Sequence, residues 1–216
     1  MEKNNKLLLI LVFVLSIGTL SVGGFFAIQA WQTYQTTLTK ATISNHSQYS
    51  LRNNATAYQK EVYEELASVE SGSDALISEL ISKNFIADFY TWTNKVRMND
   101  VGGIQFLHPD IKVWVYDQAL DRFYNDMRVY IEREQVDQTL EVSGVDVTST
   151  KTKFLLNDQE VPAYQVHATW TYKESTVLDT KNYQHEAQIT VVKQNDTYSI
   201  VEVTNGTQTS TETKPA

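Results

Sequence analysis

The feature that most constrains this chain is a run with no charged side chain, "LLLILVFVLSIGTLSVGGFFAIQA", filling residues 7–30. About 20 apolar residues in helical conformation cross the hydrocarbon core of a bilayer. Lipid offers the backbone no hydrogen-bond partner, so the run is expected to be a helix that satisfies its own peptide groups. A cleaved secretory leader is the competing reading. Its apolar part is shorter, roughly 7–15 residues, and ends in a small-x-small cleavage site. Here Ala27 and Ala30 stand three apart rather than two, and Ile28 would take the third position before a cut after Ala30. The run therefore reads as an uncleaved transmembrane anchor. Lys3 and Lys6 precede it, and the next basic residue is Lys40. The positive-inside rule then puts the N-terminus in the cytoplasm and everything from Trp31 onward outside, with Trp31 and Tyr34 at the outer interface. The expected location is the cell membrane, crossed once. Thr19, Gly23 and Ala27 form a small-residue row that can let two membrane helices approach, and such rows are also common where none does.

Composition narrows the rest. The chain has no cysteine, which excludes disulfides, cysteine-ligated zinc and a thiol nucleophile. An exported domain without cysteine depends on core packing alone. The net charge of −8 disfavours a general nucleic-acid surface, so no direct nucleic-acid binding is expected.

The organisation follows from the changing period of the apolar residues. Residues 1–6 form a cytoplasmic tail, 7–30 the anchor and 31–56 a polar stalk. Residues 57–204 form the extracytoplasmic domain, and 205–216 a disordered polar tail. Tyr58, Val62, Leu66 and Val69 mark an amphipathic helix that ends near Ser71-Gly72-Ser73. Ser73 is placed to cap a second helix, with Asp74 in its first turn. That helix carries Leu76, Ile77, Leu80 and Ile81. It then carries a stripe of Phe85, Phe89, Trp92 and Val96, with Lys95 and Arg97 at its negative end. Gly102-Gly103 closes it. In "HPDIKVWVYDQ", Ile111, Val113 and Val115 alternate with Lys112, Trp114 and Tyr116, which predicts a short strand. Asp117 then caps a helix with Leu120, Phe123, Tyr124, Met127 and Ile131 on one side, and "RVYIER" at its end fits either helix or strand.

From Leu140 the period becomes two. A strand over Leu140 to Leu155, with a bulge or bend at Gly144, turns at Asn157-Asp158. The next strand places Tyr164, Val166, Ala168, Trp170 and Tyr172 on one face. Tyr183 to Val192 alternates again, and Asn195-Asp196 leads into "TYSIVEV". Short turns between such strands make an antiparallel meander with one buried face. Helices grouped before the meander predict an α+β domain with the helices on one sheet face.

Motifs for chemistry are sparse. His46, His108, His167 and His185 lack metal-site spacing, and no HExxH, GxSxG, GxGxxG or Walker A sequence is present. His167 reads as solvated and His185 as a satisfied, partly buried histidine. Asp110, Asp117, Asp121 and Asp126 lack calcium-loop spacing. Twelve tyrosines could include an oxyanion donor, but no single one stands out. Asn45, Asn54, Asn195 and Asn205 head glycosylation-type triplets, which a chain rich in Asn, Ser and Thr produces by chance. No catalytic, cofactor-binding or metal-ligating residue is assigned, and the chain is expected not to be an enzyme.

Taken together, the membrane run, the "FIADFYTWTN" stripe, the "DVGGIQFLHPDIKVWV" continuation and the terminal meander resemble the VirB-eight-like assembly factors of type IV secretion and conjugation machines. The resemblance is to the PrgL type, carried by conjugative elements of Gram-positive bacteria. It spans roughly residues 7–204 and rests on layout more than on motif. It implies one membrane helix followed by a nuclear-transport-factor-two-like domain, a curved antiparallel sheet wrapped by helices. It also implies a non-enzymatic scaffold that forms homo-oligomers and docks other channel subunits. On such a fold the stripe Phe85, Phe89, Trp92 and Val96 fills the concave sheet against Tyr164, Val166, Ala168 and Trp170. Burial contributes on the order of 1.5–3 kcal/mol for each such side chain. Trp114 and Tyr116 are candidate exposed contacts, or equally a second buried face against which the helix after Asp117 packs. Two rivals remain: a small-ligand-binding or isomerase-like domain on the same fold, and a secreted surface-binding domain with a cleaved leader.

Overall fold

A computed structural model describes residues 49–69 and 72–205. The anchor at 7–30, Trp31, Tyr34, most of the stalk, His46 and the tail after Asn205 lie outside the described residues. Among the described residues no helix is long and apolar enough to cross a membrane.

The fold is α+β. The described helices are α1 (Ala57–Ser68), α2 (Asp74–Phe89), α3 (Pro109–Asp121) and α4 (Phe123–Glu132). They precede β1 (Val142–Leu156), β2 (Gln159–Tyr172), β3 (Glu186–Gln194) and β4 (Thr197–Asn205). The strands form one antiparallel sheet in sequence order, the expected meander.

Local chemistry explains most boundaries. Thr56 accepts from the Gln59 amide N–H while the Gln59 side chain accepts from the Thr56 N–H, so a capping box starts α1. Between β1 and β2, Asn157 and Asp158 take φ of 50° and 62°. Two left-handed residues suit a tight hairpin whose twist matches its strands. The β1–β2 register shifts between Val142 and Gly144, the bulge anticipated there.

Alternation sorts the sheet into two faces. Val145, Val166, Ala168, Trp170, Ala187, Ile189, Val191 and Ile200 join the helices in one core. The opposite face is not wholly polar. At the β1–β2 turn end, Leu156, Ala163, Val192 and Val201 form a second small cluster with Phe154 and Val161.

Helix α2 is buried on most sides. Ile77, Ile81, Phe85 and Ile86 are inside, and so are Ser78 and Ser82, whose hydroxyls donate to Asp74 O and Ser78 O. Asn84 Nδ2 donates to Val62 O and Leu80 O, tying α1 to α2. A helix this evenly apolar sits between two layers rather than at a surface.

Four sequence expectations are corrected. Ser73 precedes α2 but makes no side-chain capping bond. Asp74, in the first turn as expected, receives Lys193 Nζ at 2.8 Å and the Tyr198 hydroxyl instead. Second, α2 stops at Phe89, so Lys95, Val96 and Arg97 are not helical. The Trp92 and Thr93 N–H groups both donate to Leu140 O, a tertiary partner that outbids another helical turn. Trp92 is still fully buried, whereas Val96 is 69% exposed.

Third, "PDIKVWVYD" is helix α3, not a strand, and Asp117 lies inside it rather than capping it. Pro109 occupies the first turn and His108 Nδ1 accepts from the Asp110 N–H, both helix-start features. Ile111, Val115 and Ala119 recur every four residues, a period longer than the short alternation that imitates a strand. Fourth, Trp114 and Tyr116 do not share one environment: Trp114 is exposed, whereas Tyr116 is half-buried and its hydroxyl donates to Asn99 O. The face Leu120, Phe123, Tyr124, Met127 and Ile131 does pack inward, across a break between α3 and α4 at Arg122, and "RVYIE" is helical.

Candidate functional site

Three places concentrate side chains that could act: the aromatic filling over the sheet, a buried ion cluster behind it, and the outer face of α3.

The filling is built by α2, the segment after it, and α4. Phe89 stacks on Phe85 at 5.1 Å and on Phe123 at 5.9 Å. Tyr90 meets Trp170 of β2 at 4.4 Å, and Trp92 meets Phe123 at 4.8 Å and Tyr183 at 5.3 Å. Phe85, Phe89 and Trp92 thus share the core with Val166, Ala168 and Trp170 as the stripe predicted, whereas Tyr164 is buried outside that cluster and Val96 is exposed. Tyr90, Tyr124 and Tyr172 have hydroxyls pushed well above their ordinary range, by burial first. These phenols stay neutral near pH 7. The Tyr124 hydroxyl donates to Phe89 O and accepts from the Gly102 N–H, closing the C-terminal end of α2. Among the described residues the buried indole N–H of Trp92 has no hydrogen-bond partner. Packing has taken precedence over polar satisfaction there.

The ion cluster centres on Asp88. Lys95 Nζ lies 2.7 Å from Asp88 Oδ1 and donates to Asp88 O at 2.9 Å. Lys95 therefore meets the negative end of α2 through a loop, not from within the last turn. Gly103 N–H donates to Asp88 Oδ2 at 2.8 Å. Arg52 places Nε 3.3 Å from Asp88 Oδ1 and Nη2 2.5 Å from Asp100 Oδ1. Its Nη1 donates to Asn94 Oδ1 at 3.1 Å. Burial pushes the Asp88 carboxyl up, but the charges of Lys95 and Arg52 outweigh it and hold the group below its ordinary value. Burial, with Arg52 adding to it, lowers the Lys95 amine to about 8 against the opposing pull of Asp88. Arg52, Gln59, Asn84, Asp88 and Gln105 also line a cavity of about 20 Å³, room for roughly one water molecule.

Both oxygens of Asp88 face donors, which suits holding rather than proton transfer. What they hold is the segment leading into the domain. Arg52 is clamped, the Tyr49 hydroxyl donates to Tyr198 O, and Asn54 Nδ2 donates to Asn94 O at 2.6 Å. Tyr49 is buried in the main core, so packing reaches into residues that the sequence reading gave to the stalk. Lys95 was singled out in the sequence only for the helix dipole, and Arg52 and Asp100 not at all. The available signal was Asp88 itself, a carboxylate inside the apolar string "FIADFYTW".

The histidines are dispersed. His108 is buried beside Asp110, with Nε2 3.3 Å from Gln194 Oε1. His167 contacts Gln188 at 3.1 Å on the outer sheet face, and His185 packs on Tyr172. Among the described residues no group of three or more His, Cys, Asp or Glu is placed to hold a metal ion.

The outer face of α3 presents Val113 at 69% and Trp114 at 64% exposure. Asp110, Asp117 and Asp121 share that side.

Compared with protein families, curated proteins and solved structures, the chain matches none.

Proposed function

We propose that this chain is a non-enzymatic, membrane-anchored scaffold subunit of a type IV secretion channel of the conjugative DNA-transfer kind. On this reading residues 7–30 hold it in the cell membrane, and the outer domain has the nuclear-transport-factor-two-like form. It acts by self-association and by docking other channel subunits. One observation carries the reading: the helix-covered side of the meander, where a ligand-binding relative of that form keeps its pocket, is filled here by Phe85, Phe89, Tyr90, Trp92 and Trp170. Side chains that fill a concavity stabilise the domain and leave its outer surfaces as the means of action. The clamped segment beginning at Tyr49 gives a tethered domain a fixed point of entry for its chain.

Deleting the chain from its conjugative element and measuring donor-to-recipient DNA transfer tests the role. Transfer is expected to fall by orders of magnitude and to return on complementation, and unchanged transfer defeats the proposal. Alkaline extraction of membranes tests the anchor, since an intact chain released into the soluble fraction is incompatible with it.

A further inference from the structure

The exposed face of α3 is built against its own local interests. Asp110, Trp114, Asp117 and Asp121 follow one another at intervals of four, three and four, with Val113 beside Trp114 and four residues before Asp117, so they form one stripe down the helix. Asp117 and Asp121 are like charges one turn apart, which weakens a helix. Both stand toward its negative end, where carboxylates are unfavourable and the last turn has no basic residue. Neither forms a hydrogen bond or ion pair among the described residues. Lys112 and Arg122 are exposed nearby and pair with neither carboxylate. Asp110 alone has a neighbour, His108 Nδ1 at 3.5 Å. A large indole left in water completes a set of choices that nothing inside the fold repays.

We infer that this stripe is a docking surface for a cationic amphipathic segment of a partner protein. Such a segment would bring an apolar notch for Trp114 and lysines or arginines for Asp110, Asp117 and Asp121. Charge complementarity selects this occupant. Trp114 offers the ring face that attracts a cation, with carboxylates on the adjacent turns to hold the same charge. A second copy pairing stripe to stripe would bring like carboxylates together, and an anionic lipid surface would be repelled. The inference names a partner for the scaffold proposed above and rests on that reading for its setting. Binding by the purified chain and DNA transfer by a deletion strain succeed or fail separately.

The test uses the full chain carrying fluorotryptophan, held in nanodiscs of neutral lipid, with the Trp114 resonance assigned from Trp114→Phe. The probes are three synthetic peptides of about 18 residues, long enough to form a helix. They share a Leu/Ala face and carry Lys, Gln or Glu on the other. The Lys peptide is expected to shift the Trp114 resonance, and to bind about tenfold more tightly than the Glu peptide at low salt and less so at high salt. The double variant Asp117→Lys, Asp121→Lys keeps the apolar residues and is expected to reverse the preference toward the Glu peptide. Equal binding of the Lys and Glu peptides, or no response at Trp114, overturns the inference. So does a Trp114 resonance that moves with protein concentration alone, or only when anionic lipid replaces neutral lipid.

Discussion

Replacing Asp88 by Asn keeps the side chain's outline and withdraws its charge from beneath Lys95 and Arg52. Breaking a buried pair from one side typically costs roughly 3–5 kcal/mol, because the other charge is left without compensation. The geometry argues for less. Arg52 keeps Asp100 at 2.5 Å, and Lys95 keeps the backbone carbonyl of residue 88 at 2.9 Å. Lys95 also has an escape, since it can release its proton. Its amine already sits at about 8 rather than 10.5, so doing so at pH 7 costs only about 1.4 kcal/mol more. With the lost bonds to Gly103 and Arg52, the expected destabilisation is about 2–3 kcal/mol at pH 7.

The pH dependence has a definite sign. In the native chain Lys95 binds its proton less tightly when folded than when unfolded, so its contribution to stability rises with pH from about 8 toward 10.5. Without Asp88 the folded amine falls further and the rise begins at lower pH. The deficit of the variant is therefore largest near neutrality and shrinks by about 1 kcal/mol once Lys95 is neutral in both proteins. Equilibrium urea unfolding, followed by tryptophan fluorescence at pH 7 and near pH 9.5, measures both quantities. A loss under about 1 kcal/mol at neutral pH, or a deficit that does not shrink with pH, refutes the argument that this cluster is buried and coupled. Adding Lys95→Met to the variant is expected to recover part of the loss, as removing the stranded charge should.

Other outcomes follow from single contacts. Trp92→Ala is expected to cost about 3–5 kcal/mol in urea unfolding, while Val96→Ala, in the same sequence stripe but exposed, stays within roughly 0.5 kcal/mol. Gly102→Ala would drive its methyl group into the Asp88 carbonyl and is expected to lower stability by about 1–3 kcal/mol, seen as a fall in Tm. On the acid side, Lys193 and then Tyr198 hold the Asp74 carboxyl below 3.8, and the Lys95 and Arg52 charges do so for Asp88 against the effect of burial. Their stabilisation is complete above that value and is lost as pH falls through the lower folded values, so acid unfolding should shift upward in pH in Lys193→Met.

The meander was legible because each strand carries its own instructions. Period-two alternation and the left-handed turn at Asn157-Asp158 are local matters, satisfied within a few residues. The helix at Tyr58 to Val69 was readable for the same reason. The segment from Ile111 to Tyr116 was not, since a few alternating residues fit a strand as well as a helix, and the start signal at His108-Pro109 outweighs them only over a longer span. The stripe from Phe85 to Val96 divides the two kinds of knowledge most clearly. Sequence spacing put Phe85, Phe89 and Trp92 inside and counted Val96 with them. Where the helix ends is decided by Leu140, whose carbonyl takes the N–H groups of Trp92 and Thr93 from almost fifty residues away.

By itself, then, the sequence determined the uncharged run, the order of helices before strands and the inward faces of those strands, because periodicity and composition act along the chain. Only the tertiary structure decided the end of α2, the helical state of α3 and the meeting of Arg52, Asp88, Lys95 and Asp100. Hydrogen bonds and charges form with whatever the fold brings near, and separation along the chain places no limit on that choice.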